Sequence, residues 1–402
     1  MNILFYTHGK VYATRGGTER TTVSVASALS RLYGCRCFSL YEAEETVEKE
    51  SCFVAEFRWQ AGYDRQKDVN TLHRIVVENG IDFIIDQGIF INVGLLREAV
   101  AGTPCKVILA HHYEPGAETL YMSLRGHWAK RHDRMPLRRK CRWLFDLVFY
   151  PYAKHKYVET LRRTYREAYF QAHRVVLLSQ GFIKAYQRFG RFNDNKNFTI
   201  IPNSLSFNEF LSADEIKEKQ PVVLIVSRIE EVHKRLSLAL EIWAKVKSHP
   251  ESKGWRLKIV GTGKDMPMYQ RMITHGSIPD VSFEGHQVPL PYYKEATIFM
   301  MTSRSESWGL TLTEAQQMGV VPVAFNTYAS LRDIITDGVD GKVIAEGDVD
   351  GYVCTVLDLM QDDAKRQRMA RQAIELSQRF SQEKIARKWK ALFDDLEWRN
   401  AK

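Results

Sequence analysis

Short apolar runs alternate with longer segments of helical periodicity along most of the chain. Ile3 to Thr7, Cys35 to Tyr41, Ile81 to Asp86, Lys106 to Ala110 and Val175 to Ser179 read as strands. The segment after Gly17 reads as a helix with Val23, Val25, Ala26, Leu29 and Leu32 on its apolar side. Val69 to Asn79, closed by Gly80, Asn92 to Ala101 and Phe182 to Phe189 read as further helices. Residues 42–66 are charged and give no assignment. Ile200-Ile-Pro-Asn203 reads as a strand running into a turn, and the charged stretch 204–220 reads as a linker. A second series then opens with the wholly apolar Val222 to Val226, followed by Leu257 to Val260, Val281 to Glu284, Ile298 to Met301 and Val321 to Phe325. Between the last two, Gly309 starts a helical pattern with Leu310, Leu312, Ala315 and Met318 as core positions. The final pattern, from about Glu383 to Trp398, places Ile385, Trp389, Leu392, Phe393 and Leu396 on one face. Strands alternating with helices of these lengths predict parallel, doubly wound sheets. Ligands of such sheets bind beyond the carboxyl ends of the strands.

Length and composition narrow the picture. A chain of 402 residues is too long for one ordinary core, so two domains are expected. No run reaches the ~18 apolar residues of a membrane span, and the first residues form a strand pattern rather than a secretory leader. The six cysteines show no paired zinc spacing, which suits reduced thiols in a cytoplasmic enzyme. The net charge of +9 asks for an anionic partner.

Much of that charge is concentrated. From Arg125 to Arg163, basic residues outnumber acidic ones severalfold, with Trp128, Trp143, Phe145, Phe149, Tyr150, Tyr152 and Tyr157 interleaved. Arg139 to Tyr150 would form a helix with a basic end and an apolar aromatic side. Such a helix suits an anionic membrane surface. A helical insertion with a solvated basic side is the plainer alternative. A nucleic-acid groove would use the same residues, but no nucleic-acid module accompanies them.

Candidate chemistry gathers at strand ends. Ser303 to Gly319 reads as a loop entering a helix, and a helix N-terminus attracts anions. Two carboxylates flank that start, Glu306 in the loop and Glu314 in the second turn. Arg228 follows the strand Val222 to Val226, and Lys234 precedes the next helix. Two cations there could neutralise a phosphate group. Gly16-Gly17 and Gly261-Thr-Gly263 each follow a strand, where glycine lets backbone approach a ligand. His111 and His112 close another strand; tandem histidines suggest metal, but no carboxylate or cysteine stands at ligand spacing, so no metal site is expected.

The context E-S-W-G-L-T-L-T-E-A, with Glu306 and Glu314 separated by seven residues, resembles the E-x7-E motif of retaining nucleotide-sugar glycosyltransferases with the GT-B fold, above all glycosyltransferase family 4. The resemblance is specific from Val222 to Gly341 and diffuse from Cys35 to Ile200. It implies two Rossmann-like domains facing each other across a cleft. The acceptor-side domain would be 1–205 with the crossover helix 383–402, the linker 206–220, and the nucleotide-sugar domain 221–382. By resemblance, Arg228 and Lys234 contact the donor phosphates, Glu306 the donor sugar and Glu314 the ribose. Gly16, Gly17, Gly261, Gly263, Gly309, Leu310 and Thr311 supply backbone to the donor, and Gln287 and Val288 hold its base. His112, in His112-x-x-Pro115, matches the strand-end histidine near the donor sugar. The implied reaction moves a sugar from a nucleoside diphosphate sugar, UDP- or GDP-linked, to a hydroxyl of a glycan or glycolipid. It would serve cell-surface polysaccharide or lipopolysaccharide synthesis, keep the anomeric configuration and use neither cofactor nor metal. The expected location is cytoplasmic, peripheral on the inner membrane face. A sugar-nucleotide 2-epimerase and a non-catalytic binding protein are the alternatives.

Overall fold

The computed structural model describes residues 1–12, 16–43, 50–60, 62, 64–121 and 137–398. They form two compact units, 1–201 with 389–402, and 202–388. Arg125, Trp128, Lys130, Arg131 and Arg134 of the basic stretch lie outside the described residues.

In the first unit the described residues give a seven-stranded sheet: β1 (Asn2–Thr7), β2 (Arg36–Tyr41), β3 (Phe53–Arg58), β4 (Phe83–Asp86), β5 (Lys106–His111), β6 (Arg174–Leu177) and β7 (Phe198–Ile200). The order is β3-β2-β1-β4-β5-β6-β7, and every pairing is parallel. Ile3, Leu4, Phe5, Ile84, Ile85, Val107, Ile108 and Leu109 are buried, as the near-continuous apolar runs of a parallel sheet require. β3 falls in the stretch that gave no assignment. It is an edge strand in which only Phe53 is buried and Val54 faces out, so its composition carries no core signal. The helix Gly17–Tyr33 buries Val25, Ala26, Ala28 and Leu29 together with Thr21 and Thr22; Leu32, expected on that face, is exposed. Asp64 caps the helix Arg65–Glu78 by accepting from the Gln66 and Lys67 amides, at 3.0 and 3.2 Å.

The second unit holds a six-stranded parallel sheet: β8 (Val222–Val226), β9 (Arg256–Val260), β10 (Val281–Gly285), β11 (Ile298–Met301), β12 (Val321–Phe325) and β13 (Lys342–Ile344), in the order β10-β9-β8-β11-β12-β13. The sheet reverses direction of growth between β8 and β11, which in open α/β sheets is where ligands bind. Residues 206–220, expected to be a linker, pack onto this unit. Leu211 and Ile216 are buried, and the Gln317 amide donates to the Phe207 and Glu209 carbonyls at 2.8 Å each. The helix Gln382–Trp398 begins in the second unit and ends in the first. Ile385, Trp389, Leu392, Phe393 and Leu396 are all buried on it, and the Phe393 ring lies 4.6 Å from that of Phe83.

Candidate functional site

The segment between β11 and the helix Leu310–Gln317 is fixed from three sides. Arg235 donates through Nε to the Thr302 carbonyl at 2.8 Å and through Nη2 to the Ser303 carbonyl at 3.3 Å. Its left-handed backbone (φ 48°) links the short helix Glu231–Lys234 to the helix Leu236–Lys247. Thr302 Oγ1 answers by donating towards the Lys234 and Arg235 carbonyls, at 3.1 and 3.0 Å. Thr327 and Ser330 hydroxyls hold the Ser303 and Ser307 carbonyls, at 2.7 and 3.0 Å. The result is a loop whose backbone is hydrogen-bonded almost residue by residue.

That rigidity brings Lys234 and Glu306 together. The Lys234 ammonium is ion-paired with Glu306 Oε1, which also accepts from Ser303 Oγ at 2.7 Å. Both side chains are mostly covered, at 16% and 13% exposure, so the pair sits in a medium where charge interacts more strongly than in water. Gly309 caps the following helix with φ 81° and no side-chain cap. A Cβ there would stand 3.2 Å from the Tyr328 hydroxyl and 3.3 Å from Leu312, so conformation and space both favour glycine. Glu314 is fully buried, its Oε1 accepting from Ser206 Oγ (2.6 Å) and its Oε2 from the Tyr293 hydroxyl (2.9 Å). Leu310, Leu312, Ala315 and Met318 are buried as the pattern predicts.

At the end of β8 the glycines have a local cause. A Cβ on Gly261 (φ 142°) would meet the Ser227 carbonyl oxygen at 1.9 Å, and one on Gly263 would meet that of Ile229 at 2.2 Å. Backbone therefore lies directly on backbone, tied by Ile229 N–H to the Thr262 carbonyl at 2.9 Å. Arg228 extends from this junction with its side chain 74% exposed and its guanidinium 3.8 Å from Glu230. Lys234 is thus coupled to Glu306, whereas Arg228 stands apart from that pair in solvent. Gln287 and Val288 lie on an exposed loop after β10; Val288 is 72% exposed.

Gly16, Gly17 and His112 belong to the first unit. Gly16 is the N-cap of the helix Gly17–Tyr33, and residues 13–15 of its loop lie outside the described residues. His112 follows β5, is nearly buried, and its Nε2–H donates to the Gln87 side-chain oxygen. His111 beside it is fully buried against Tyr165 and Tyr186, and burial, then the neighbouring His112, pushes its pKa down to about 3. The Tyr165 hydroxyl donates to Glu118 at 2.7 Å, so at 3.2 Å it accepts from His111 Nε2–H.

Around these strand ends stands a polar group that the sequence reading missed. The Tyr6 hydroxyl donates to Glu42, Asn92 Nδ2 donates to the Tyr6 hydroxyl at 2.6 Å, and His8 Nδ1 lies 3.0 Å from Glu42. Lys10 and Glu56 form a covered ion pair at 2.9 Å. Asp86 is wholly buried; its Oδ1 accepts from the Ile89 amide at 2.6 Å, and burial pushes its pKa up to about 8. Glu42 and Glu56 come from the unassigned stretch 42–66; the available signal was Tyr6-Thr-His8 and Asp86-Gln87, polar residues directly after apolar runs. Among the described residues, no group of three or more histidines, cysteines and carboxylates could hold a metal ion. The six cysteines are free thiols.

Comparison with known proteins places this geometry. Residues 206–376 match the family model of Glycosyl transferases group 1. The chain is 29% identical over 168 residues to an exopolysaccharide phosphotransferase of Streptomyces coelicolor, covering 40% of this chain and 17% of that protein. It is 26% identical over 204 residues to the amylovoran biosynthesis glycosyltransferase AmsD of Erwinia amylovora, covering 48% of this chain and 55% of that protein. The chain thus spans about half, or less, of the length of these relatives. In solved structures, HepE of Anabaena in complex with UDP and glucose superposes with a TM-score of 0.72 at 16% identity, covering 98% of this chain and all of the other. The two parallel-sheet units therefore have the GT-B fold.

Proposed function

We propose that this GT-B chain is a retaining glycosyltransferase that moves a sugar from a nucleoside diphosphate sugar to a hydroxyl of a cell-surface glycan or glycolipid. The observation that carries the reading is the Lys234–Glu306 pair, locked beside the uncapped start of the helix Leu310–Gln317. Breaking a sugar–phosphate bond leaves negative charge on the diphosphate and positive character on the sugar. A fixed ammonium, an exposed guanidinium at Arg228 and helix N–H groups suit the first, and preorganised electrostatics of this kind contribute strongly to rate. Glu306, already held by Ser303, suits the sugar hydroxyls, and Glu314 suits the ribose, sharing its lone pairs with Ser206 and Tyr293. His112 steadies the reacting sugar. The leaving phosphate takes the acceptor proton, so no covalent nucleophile and no metal are needed. The relatives named for exopolysaccharide chemistry support a glycan acceptor, and the neighbour holding UDP and glucose makes UDP the first base to try. The same reading places the protein on the cytoplasmic side, where activated sugars are available.

A thermal-shift series with UDP, GDP, ADP and their sugars tests it, with EDTA present throughout. A ligand at a hundred times its Kd adds about 2.7 kcal/mol to stability. One nucleotide raising the midpoint of the wild type but not of Glu314→Ala is expected. If none does, the second unit is not a donor site. Conversion of the donor to its epimer, with no acceptor consumed, would move the assignment to a 2-epimerase; binding with neither turnover nor hydrolysis would leave a binding protein.

A further inference from the structure

The basic aromatic stretch is absorbed by none of this chemistry. Its described part forms the helices Leu137–Val148 and Tyr150–Gln171. The backbone ladder runs through their junction: the Phe149 amide donates to the Phe145 carbonyl and the Ala153 amide to the Phe149 carbonyl, both at 2.9 Å. Among the described residues, the second helix is buried in its later turns, at Leu161, Tyr165, Ala168 and Tyr169. From 138 to 160, no side chain whose burial is described is buried. Yet this part is not polar. Leu144, Phe145, Val148, Phe149 and Tyr152 are more than half exposed and follow the spacing i, i+1, i+4, i+5, i+8, which makes one continuous stripe. The Phe145 and Phe149 rings touch at 4.7 Å between centroids, so the stripe is preassembled. Exposed Arg138 and Lys140 stand before it, and exposed Lys154 and Lys156 after it. Between 138 and 157 the sequence carries six lysines and arginines against one carboxylate, Asp146.

An apolar stripe left in water marks a binding surface. We infer that this helical arm docks flat on an anionic phospholipid surface, with Leu144, Phe145, Val148, Phe149 and Tyr152 entering the acyl boundary and the flanking basic residues meeting lipid phosphates. Charge complementarity selects that occupant. A second copy would bring like charges together, setting exposed Arg138, Lys140, Lys154 and Lys156 against their own counterparts. A nucleic acid would satisfy the cations but leave Leu144 and Val148 without apolar partners. Amphipathic helices with basic flanks and aromatic faces lie in the headgroup interface without spanning it, and no helix among the described residues is long and apolar enough to span. The inference stands apart from the proposed donor chemistry, because it uses none of its residues.

Co-sedimentation of the full chain with phosphatidylcholine vesicles, with and without phosphatidylglycerol, tests it. Each basic residue near an anionic surface contributes about 1 kcal/mol, so reversing two lowers affinity by roughly tenfold or more. Expected are binding only with phosphatidylglycerol, weakening with salt, and a loss of at least that size in both Phe145→Ser/Phe149→Ser and Arg138→Glu/Lys140→Glu. Both variants should keep the wild-type circular dichroism and thermal midpoint, which separates lost docking from lost folding. Equal sedimentation of wild type and both variants, or none of the wild type, overturns the inference. So does a dimer abolished by the phenylalanine pair, which assigns the stripe to a second copy. Retention on single-stranded RNA without vesicle binding overturns it in favour of a nucleic-acid surface.

Discussion

The loop after β11 and the strand ends of the first unit both collect ionisable groups with little access to water, and they treat charge in opposite ways. In the second unit Lys234 and Glu306 face each other as an ion pair, so each covered charge has its counter-charge. In the first unit Asp86 and His111 are wholly buried with no ion pair to either among the described residues. Burial raises the first and lowers the second, so near neutral pH both are largely uncharged. One region is built to hold charge in place. The ends of β4 and β5 instead hold neutral donors and acceptors, while the same unit keeps the covered Lys10–Glu56 ion pair and the Tyr6, Glu42 and Asn92 cluster.

The largest effect should come from disturbing the backbone junction where β8 and β9 end. Gly261→Ala adds a Cβ 1.9 Å from the Ser227 oxygen at a backbone angle alanine rarely adopts. We expect a loss of about 4 kcal/mol in the second unit, read by denaturant unfolding, because backbone on both sides must shift. A fully stable Gly261→Ala variant would mean that the β8 and β9 ends are not rigidly joined.

Next comes Lys234→Ala. Removing the ammonium leaves Glu306 buried beside Ser303 without its counter-charge. Loss of a preorganised partner for developing charge costs about 3 kcal/mol in the barrier, or roughly a hundredfold in kcat. The double variant Lys234→Met/Glu306→Gln should regain stability but not turnover, because it removes the uncompensated charge along with the catalyst. Recovery of turnover in the double variant would show that the pair is structural only.

Tyr293→Phe probes the buried end of the same helix. It removes a hydroxyl bonded to Glu314 and should destabilise the second unit by about 2 kcal/mol, measured by chemical denaturation. It should also alter nucleotide affinity, since it changes the hydrogen bonding of Glu314. A change in stability with no change in affinity would separate Glu314 from the donor.

The two regions also differ in how far sequence exposes them. Glu306, Gly309, Glu314 and Gly319 lie within one short strand-loop-helix unit, and local sterics demand the glycines. That is why the second sheet, its order of elements and its cluster could be read directly. Lys234 was placed because it precedes a helix. A covered guanidinium clamped on carbonyls, as at Arg235, has the same sequence signature as a solvated one. The first-unit cluster draws Tyr6, Glu42, Asp86 and Asn92 from separate segments, and β3, with one buried residue, gave no pattern. Likewise Leu32 fits an apolar face by spacing, but Thr21 and Thr22 take the burial there. Segment 206–220 looked like a linker because its few apolar residues, Leu211 and Ile216, are spread among charges.

The smallest effect is a pH slope that appears only when the first unit is altered. His111 has a folded pKa of about 3 against an ordinary value of 6.5, so between those values the unfolded chain binds more protons, and stability is lost as pH falls. Asp86 has a folded pKa of about 8 against 3.8, so between those values the folded chain binds more protons, and stability is gained as pH falls. From pH 7 to 5 the two slopes oppose, and the wild type should change little. Asp86→Asn keeps an oxygen for the Ile89 amide but removes the carboxyl that gains. The His111 slope is then uncovered, and the variant should lose on the order of 1 kcal/mol between pH 7 and 5, where the wild type loses almost none. Hydrogen exchange of the β4 and β5 amides at the two pH values reads this locally, without interference from the second unit. Parallel profiles in wild type and variant would mean that Asp86 is ionised in the folded protein. The ends of β4 and β5 would then hold charge as the loop after β11 does, and the contrast between the two regions would fail.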